Sequence, residues 1–432
     1  MRTKIGFFIL FIVFVSFVGS ALAGSESNTN TFYGKNAGHS NTSGRFDTFI
    51  GFEAGYSNNT ASHNTFVGSK AGRYNTEGKY NTFMGYAAGK LNTSGGFNTF
   101  LGTTAGMNNT IGSYNTFLGY YSGWNNTTGY ENNFSGYAAG WNNTTGSQNT
   151  FLGTQAGYTN NSGSQNTFLG WRAGYSNTTG TKNTFLGFDA GDYNNTGYQN
   201  TFVGHSAGAG NPSSNNTFVG YAAGWANSAS NNVFIGSAAG AANKGSNNTI
   251  IGVSAGYNLS NGNGNVLIGY YAGSHETGSD KLYIDNSNTS SPLIYGDFSN
   301  NKVTVHGYLG IGTKSIDYPI QTAAGAYVTT GGVWINASSR EYKDNIKDLK
   351  AEDAMETLRE LNPVTFNYKT SPGEHHVGFI AEDVPELVAT KDRKGLSSMD
   401  IVTVLTKVVQ EQQKVISKLQ AEVDQLKKNK IR

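Results

Sequence analysis

Along most of the chain one apolar residue returns at a fixed interval. Phe32, Phe49, Phe66, Phe83, Phe100, Phe117, Phe134, Phe151, Phe168, Phe185 and Phe202 stand 17 residues apart. Phe218, Phe234 and Ile250 follow at intervals of 16, and Leu267 at 17. A glycine lies two and again six residues after every anchor, from Gly34 and Gly38 to Gly269 and Gly273. The residue before the second glycine is Ala, with Ser122 the exception, and two residues before the anchor stands Asn, replaced once by Asp47. Fifteen copies in one register make a repeat architecture. A stretch such as Asn149-Thr150-Phe151-Leu152-Gly153 reads as a short strand ended by glycine, and Ala156-Gly157 with the Asn/Gly-rich residues after it as tight turns. Two short strands in each unit predict one coil of a β-solenoid or β-roll, stacked about 4.8 Å above the last, in a rod on the order of 70 Å long. The recurrent Asn predicts side-chain amides bonded up the stack.

The residue after each anchor is also apolar, as in Phe100-Leu101, Phe185-Leu186 and Phe234-Ile235, with Tyr33 and Ser135 as exceptions. Neighbouring strand residues point to opposite faces, so one apolar set fills the coil and the other needs a partner. Association of identical chains along the rod meets that need. Two aromatic rows recur outside the strand. One holds Phe52, Tyr86, Tyr120, Tyr137, Trp171, Phe188, Tyr221 and Tyr270; the other holds Tyr56, Trp124, Trp141, Tyr158, Tyr175, Trp225 and Tyr257. Either they present a stacking surface for sugars, or they pack on one another as a ladder; stacked repeats favour the ladder.

After Gly278 the period stops. Leu282–Asp285, Leu293–Gly296, Val303–Val305 and Tyr308–Gly310 read as short strands of a β-rich neck. The charge distribution then changes: residues 336–432 hold 16 basic and 16 acidic side chains, against 14 and 12 in all that precedes. That segment predicts a helix over Ala351–Leu361 and a strand over Val364–Tyr368. Val402, Val409, Ile416 and Val423 recur every seven residues, offset by three from Leu405, Gln412, Leu419 and Leu426, which is the seam of a coiled coil. β-Branched residues in the first set with Leu in the second favour dimers in isolated coils, so a trimer must be argued from the rod.

Arg2 and Lys4, the apolar run Ile5–Val18 and Ala21-Leu22-Ala23 have the layout of a secretory signal peptide cut after Ala23. The mature chain is expected to be secreted or on the cell surface, without a membrane span. The sequence contains no cysteine, which excludes disulfides and thiolate metal sites. A net charge of +2 gives no sign of a nucleic-acid partner. The histidines show no zinc spacing and the Gly-x-Gly runs precede no helix, so no metal and no cofactor are expected.

Two resemblances follow from these motifs. The Asn-Thr-Phe-Leu-Gly…Ala-Gly repeat resembles the head repeats of trimeric autotransporter adhesins, which build a parallel β-roll in a threefold bundle. In the tail, Ser338-Ser339-Arg340-Glu341-Tyr342-Lys343-Asp344-Asn345-Ile346 and, further on, His376-Val377-Gly378-Phe379-Ile380-Ala381-Glu382-Asp383-Val384 resemble the intramolecular chaperone domain of phage tailspikes and tail fibres, serine-peptidase family seventy-four. That resemblance implies self-cleavage by a Ser/Lys dyad, with Ser338 as nucleophile, Lys343 as base and the cut between Ser338 and Ser339. Ser339 stands where the family pattern has Asp, and Glu382 where it has Gln. A serine hydroxyl needs a base, and lysine serves as one only once desolvated; burial at an assembled trimer interface would supply that.

The expected fold is therefore mainly β. Its parts are a signal peptide (1–23), a 17-residue-repeat β-roll rod (24–278), a β-rich neck (279–335), a small α+β chaperone and auto-peptidase domain (336–408) and a coiled-coil end (409–432). The expected function is an adhesin-like homotrimeric fibre whose only enzymatic act is one autocatalytic cleavage, with a surface glycan or host-cell ligand as the rod's partner. A polysaccharide-degrading tailspike-like enzyme and a purely structural, uncleaved fibre are the alternatives.

Overall fold

The computed structural model describes residues 29–430; the expected signal peptide, residues 1–23, lies outside the described residues. The chain forms two compact units that divide between Leu309 and Gly310.

The first unit is a parallel β-solenoid. Fifteen three-residue strands, β1 (Thr31–Tyr33) to β15 (Val266–Ile268), each carry one anchor. Each pairs with the strand of the next coil residue for residue, as in Thr150↔Thr167, Phe151↔Phe168 and Leu152↔Leu169. There is one strand per coil, not the two expected, because the rest of each unit is spent turning. In the coil of Phe151, Gly153 (φ +141°), Gln155 (+58°), Gly157 (+60°) and Gln165 (+59°) all have positive φ. At Gly153 a side chain is excluded outright, since a Cβ there would lie 2.3 Å from the Gly170 carbonyl oxygen of the next coil. Gln155 and Gln165 have no such exemption, and left-handed backbone costs an ordinary residue roughly 1–2 kcal/mol. Hydrogen bonds to the preceding coil hold them there, from Gln155 N–H to Tyr137 O (2.8 Å) and from Gln165 N–H to Ser147 O (3.0 Å).

A narrow coil has room for little else than its anchor. The anchor phenylalanines from Phe49 to Phe234 are fully buried. Adjacent rings lie 4.7–4.9 Å apart and within 4–9° of parallel from Phe49 to Phe234. That spacing is the strand spacing, so the rings stack offset, the arrangement aromatic pairs prefer. Beside them run two asparagine columns. In the expected column Asn98 N–H donates to Asn81 Oδ1 (2.9 Å) and Asn98 Nδ2 donates to Gly112 O (2.8 Å). The second column lies nine residues after each anchor and is an unbroken amide ladder from Asn58 to Asn177; Asn109 Nδ2, for example, donates to Asn92 Oδ1 at 2.6 Å. Most of these buried amides are thereby satisfied by the coils above and below, with Asn64 Nδ2, Asn216 Nδ2, Asn227 Nδ2 and Asn243 Nδ2 as exceptions.

The solenoid runs one rung past the last repeat. β16 (Lys281–Ile284) pairs parallel with β15 and places Tyr283 on the anchor column, opposite Leu267. The Tyr283 hydroxyl donates to Glu276 Oε2 (2.7 Å). β17 (Ile294–Asp297) and β18 (Lys302–Val305) then turn antiparallel and cover the open edge, the protection that a repeat end requires.

A small sheet of β19 (Leu309–Ile311), which begins at the boundary, β20 (Ile320–Thr322), β21 (Tyr327–Val328) and β22 (Trp334–Ile335) opens the second unit. Helix α1 (Ala351–Glu360), the hairpin β23 (Val364–Tyr368)–β24 (Ser371–Gly378) and the long helix α2 (Ser398–Lys430) follow. Ala354, Leu361, Val384, Val388, Val404 and Val408 form its buried core. No helix among the described residues is long and apolar enough to cross a membrane.

Candidate functional site

The candidate dyad is set by one short turn. Ser339 caps a 3-10 turn over Arg340–Tyr342: its Oγ accepts from Glu341 N–H (3.4 Å) and its carbonyl from Tyr342 N–H (3.1 Å). Tyr342 lies against Gly325 in the loop between β20 and β21, where a Cβ would come within 3.0 Å of its ring. The turn reverses the chain so that Lys343 Nζ donates to Ser338 Oγ at 2.8 Å, five residues apart. Ser338, Ser339 and Lys343 are all exposed. The two expected partners are thus in contact within a single chain. What is missing is desolvation: the amine gives a hydrogen to the hydroxyl, whereas a base must take one.

Glu382 does not join the pair. Its carbonyl accepts from Arg393 Nη2 (2.8 Å), which also donates to Val384 O (2.6 Å), and its exposed side chain lines a shallow hollow with Phe366, Tyr368, Phe379, Lys394 and Leu396. Among the described residues no hydrogen bond links it to Ser338 or Lys343, and no group of His, Asp and Glu is arranged to hold a metal.

Two apolar surfaces stay uncovered in one chain. On the rod, the residue after each anchor faces outward, with Leu169, Leu186 and Ile235 each about 40% exposed. On α2, Ile401, Val404 and Val408 pack in the domain core, while the heptad residues Val402, Leu405, Val409, Ile416, Leu419, Val423 and Leu426 are all exposed. The helix therefore has one apolar face for its own domain and another left free.

Parts of the aromatic rows pack on themselves. Trp124, Trp141, Tyr158 and Tyr175 follow one another at 4.7, 5.8 and 5.0 Å between ring centroids. The next member of that row is Asp192, which bonds Arg172 Nη2 at 2.8 Å; the Arg172 guanidinium lies over Trp171 and Tyr175. Burial pushes the nearby Asp189 carboxyl up. A further column, Phe46, His63, Tyr80, Phe97 and Tyr114, was not among the expected rows, although it has the same period; its rings stack at 4.7–4.9 Å. Rings stacked face to face turn only their edges outward, which leaves a sugar no ring face along the column.

No curated protein and no solved structure matches the chain. The tail is different: residues 338–391, a segment that opens on Ser338 itself, match the Peptidase_S74 family, the chaperone of endosialidase.

Proposed function

We propose that the chain is the subunit of a secreted or surface-displayed trimeric fibre, whose C-terminal domain chaperones assembly and then releases itself by hydrolysis of the Ser338–Ser339 amide. One observation carries the reading: the family match begins at the serine whose hydroxyl lies 2.8 Å from the Lys343 amine. The outward column of the rod and the free heptad face of α2 support association, because each is a long apolar surface that a second and third copy would cover. In one chain Lys343 is exposed, and a lysine becomes a base once its surroundings exclude water or add positive charge. Docking of three tails supplies that exclusion, so cleavage reports completed assembly. In the net reaction water gives its oxygen to the new Ser338 carboxylate, and Ser339 leaves as a free amine.

Intact-mass measurement on the purified protein tests this. The wild type should lose a C-terminal fragment beginning at Ser339. Ser338→Ala and Lys343→Ala should remain full length and still sediment as trimers. An unprocessed wild-type trimer rejects the peptidase, and a monomeric wild type rejects the fibre.

A further inference from the structure

Asp47 is the one acid in a column that otherwise holds asparagine, and it is wholly buried. Its N–H donates to Asn30 Oδ1 (2.9 Å) and its Oδ1 accepts from Asn64 N–H (2.9 Å), so it ties the first three coils together as an asparagine would. The difference lies at its second oxygen. Most asparagines in this column place an amide nitrogen there, which donates to a turn carbonyl about fourteen residues on, as from Asn30 to Gly44 (2.8 Å), Asn81 to Gly95 (2.9 Å) and Asn98 to Gly112 (2.8 Å), while Asn64 Nδ2 and Asn216 Nδ2 make no such bond. The carbonyl at that spacing from Asp47 is Ala61 O, and a carboxylate has no hydrogen to offer it. Ala61 O keeps only the bond from Asn58 Nδ2 (3.0 Å), the same bond that Asn75 makes to Gly78 and Asn92 to Gly95, and Asn58 Nδ2 also reaches Asp47 Oδ2 (3.3 Å). The amide ladder is longest at this step and shortens over the next two. Asn58 Nδ2 lies 3.5 Å from Asn41 Oδ1, where the same bond is 2.7 Å from Asn92 to Asn75 and 2.6 Å from Asn109 to Asn92.

Among the described residues no cation pairs with the Asp47 carboxyl. Lys35, Arg45, His39 and His63 on the first three coils are exposed, and Arg73 pairs with Glu53 at 3.0 Å. Asn58 and Asn64 are the side chain and backbone that bond the carboxyl, and neither carries charge.

We propose that Asp47 is a proton-operated latch on the first coils of the rod: neutral, it donates to Ala61 O as an amide does and locks coils one to three, and ionised, it leaves them loosened. Burial pushes its carboxyl up to about 6, against the hydrogen bonds from Asn64 and Asn58 that hold it down. The sign is the reverse of the usual acidic residue. Between the ordinary carboxylate range and about pH 6 the folded coil keeps a proton that the unfolded chain has lost. Stability is therefore greatest on the acid side and falls as pH rises through about 6, by about tenfold in the local opening equilibrium between pH 5 and pH 7.

Hydrogen exchange of the full chain tests the latch, with protection of residues 31–64 read against residues 149–185 of the same molecule at each pH. In the wild type the ratio should fall about tenfold from pH 5 to pH 7. In Asp47→Asn it should stay high and flat, because the amide restores the donor. His63→Gln, which removes the imidazole next to Asn64 in the chain, should keep the wild-type slope. A flat wild-type ratio, a slope that survives in Asp47→Asn, or a slope abolished by His63→Gln would each overturn the proposal.

Discussion

Replacing Phe151 by alanine tests whether the anchor column is the core. The ring is fully buried and stacks on Phe134 at 4.7 Å and on Phe168 at 4.8 Å, so its loss damages two coil interfaces at once. The wall beside it is rigid. The coil is bonded above and below through its backbone, with Thr150 N–H to Asn166 O at 2.8 Å and Gly153 N–H to Ser135 O at 2.8 Å, and cannot collapse into the space. A buried phenylalanine truncated under these conditions costs about 3–5 kcal/mol. In a one-dimensional stack, stability is a sum of repeats and nearest-neighbour interfaces, so the cost falls on three coils. Hydrogen exchange should show residues 133–170 opening about a thousandfold more often, roughly 4 kcal/mol, while residues 65–85 stay as protected as before. Phe151→Leu keeps an apolar filler and should cost under about 1.5 kcal/mol. A change below tenfold for the alanine variant would mean that the column is not the core. Equal loss of protection in the distant coils would mean one cooperative body instead of a stack.

Two further outcomes concern assembly. Leu186→Asp puts a charge on the outward column at a side chain 41% exposed in one chain, so single coils should fold as before while sedimentation shows monomers; a persistent trimer would place the chain contact on another face. Deleting residues 336–432 before folding should give misregistered, aggregating rods, seen as heterogeneous sedimentation, and normal trimers at full yield would remove the chaperone role.

The anchor column was legible because burial there is absolute, and a position that tolerates nothing but Phe, Ile or Leu leaves its period in the sequence. The asparagine before it was legible for the same reason. The other turn positions were not, since the backbone bonds fix a left-handed residue without regard to its type: Tyr114, Glu131, Gln148 and Lys182 occupy one site in four coils, all with positive φ. Past the aromatic run from Phe46 to Tyr114 that site keeps no residue type, so its left-handed backbone is not legible and the turns resemble a second strand. The final rung went unread because it loses the marks of the repeat, with Lys281 in the asparagine place and Asp285 in the glycine place, although Lys281 N–H still donates to Asn265 Oδ1 (2.8 Å). In the tail, α1 and β23 followed from local pattern. The pairing of Ser338 with Lys343 depends on the 3-10 turn that Ser339 caps, and only the family motif pointed to it.

In the proposed fibre the rod and the tail would solve opposite halves of one assembly problem. Most coils offer the next the same ring, the same amide and a similar strand, so in the proposed fibre sliding one chain past another by a repeat would restore nearly every contact and sacrifice only the ends. The features that distinguish one coil from another are few: Asp47, Ser135, the Arg172–Asp192 pair and the 16-residue units between Phe202 and Ile250. They are spaced too widely to penalise a slip before the chains have zipped. The free face of α2 has the reverse character. It is short, but its Leu405, Leu419 and Leu426 row is interrupted by Gln412, and a polar residue at one seam position specifies register at some cost in stability. In the proposed fibre a tail that pairs first fixes which coil meets which, and the rod then needs only to propagate. Once that is done the tail has no further role in register, which is the condition under which a cut at Ser338 is harmless to the fibre.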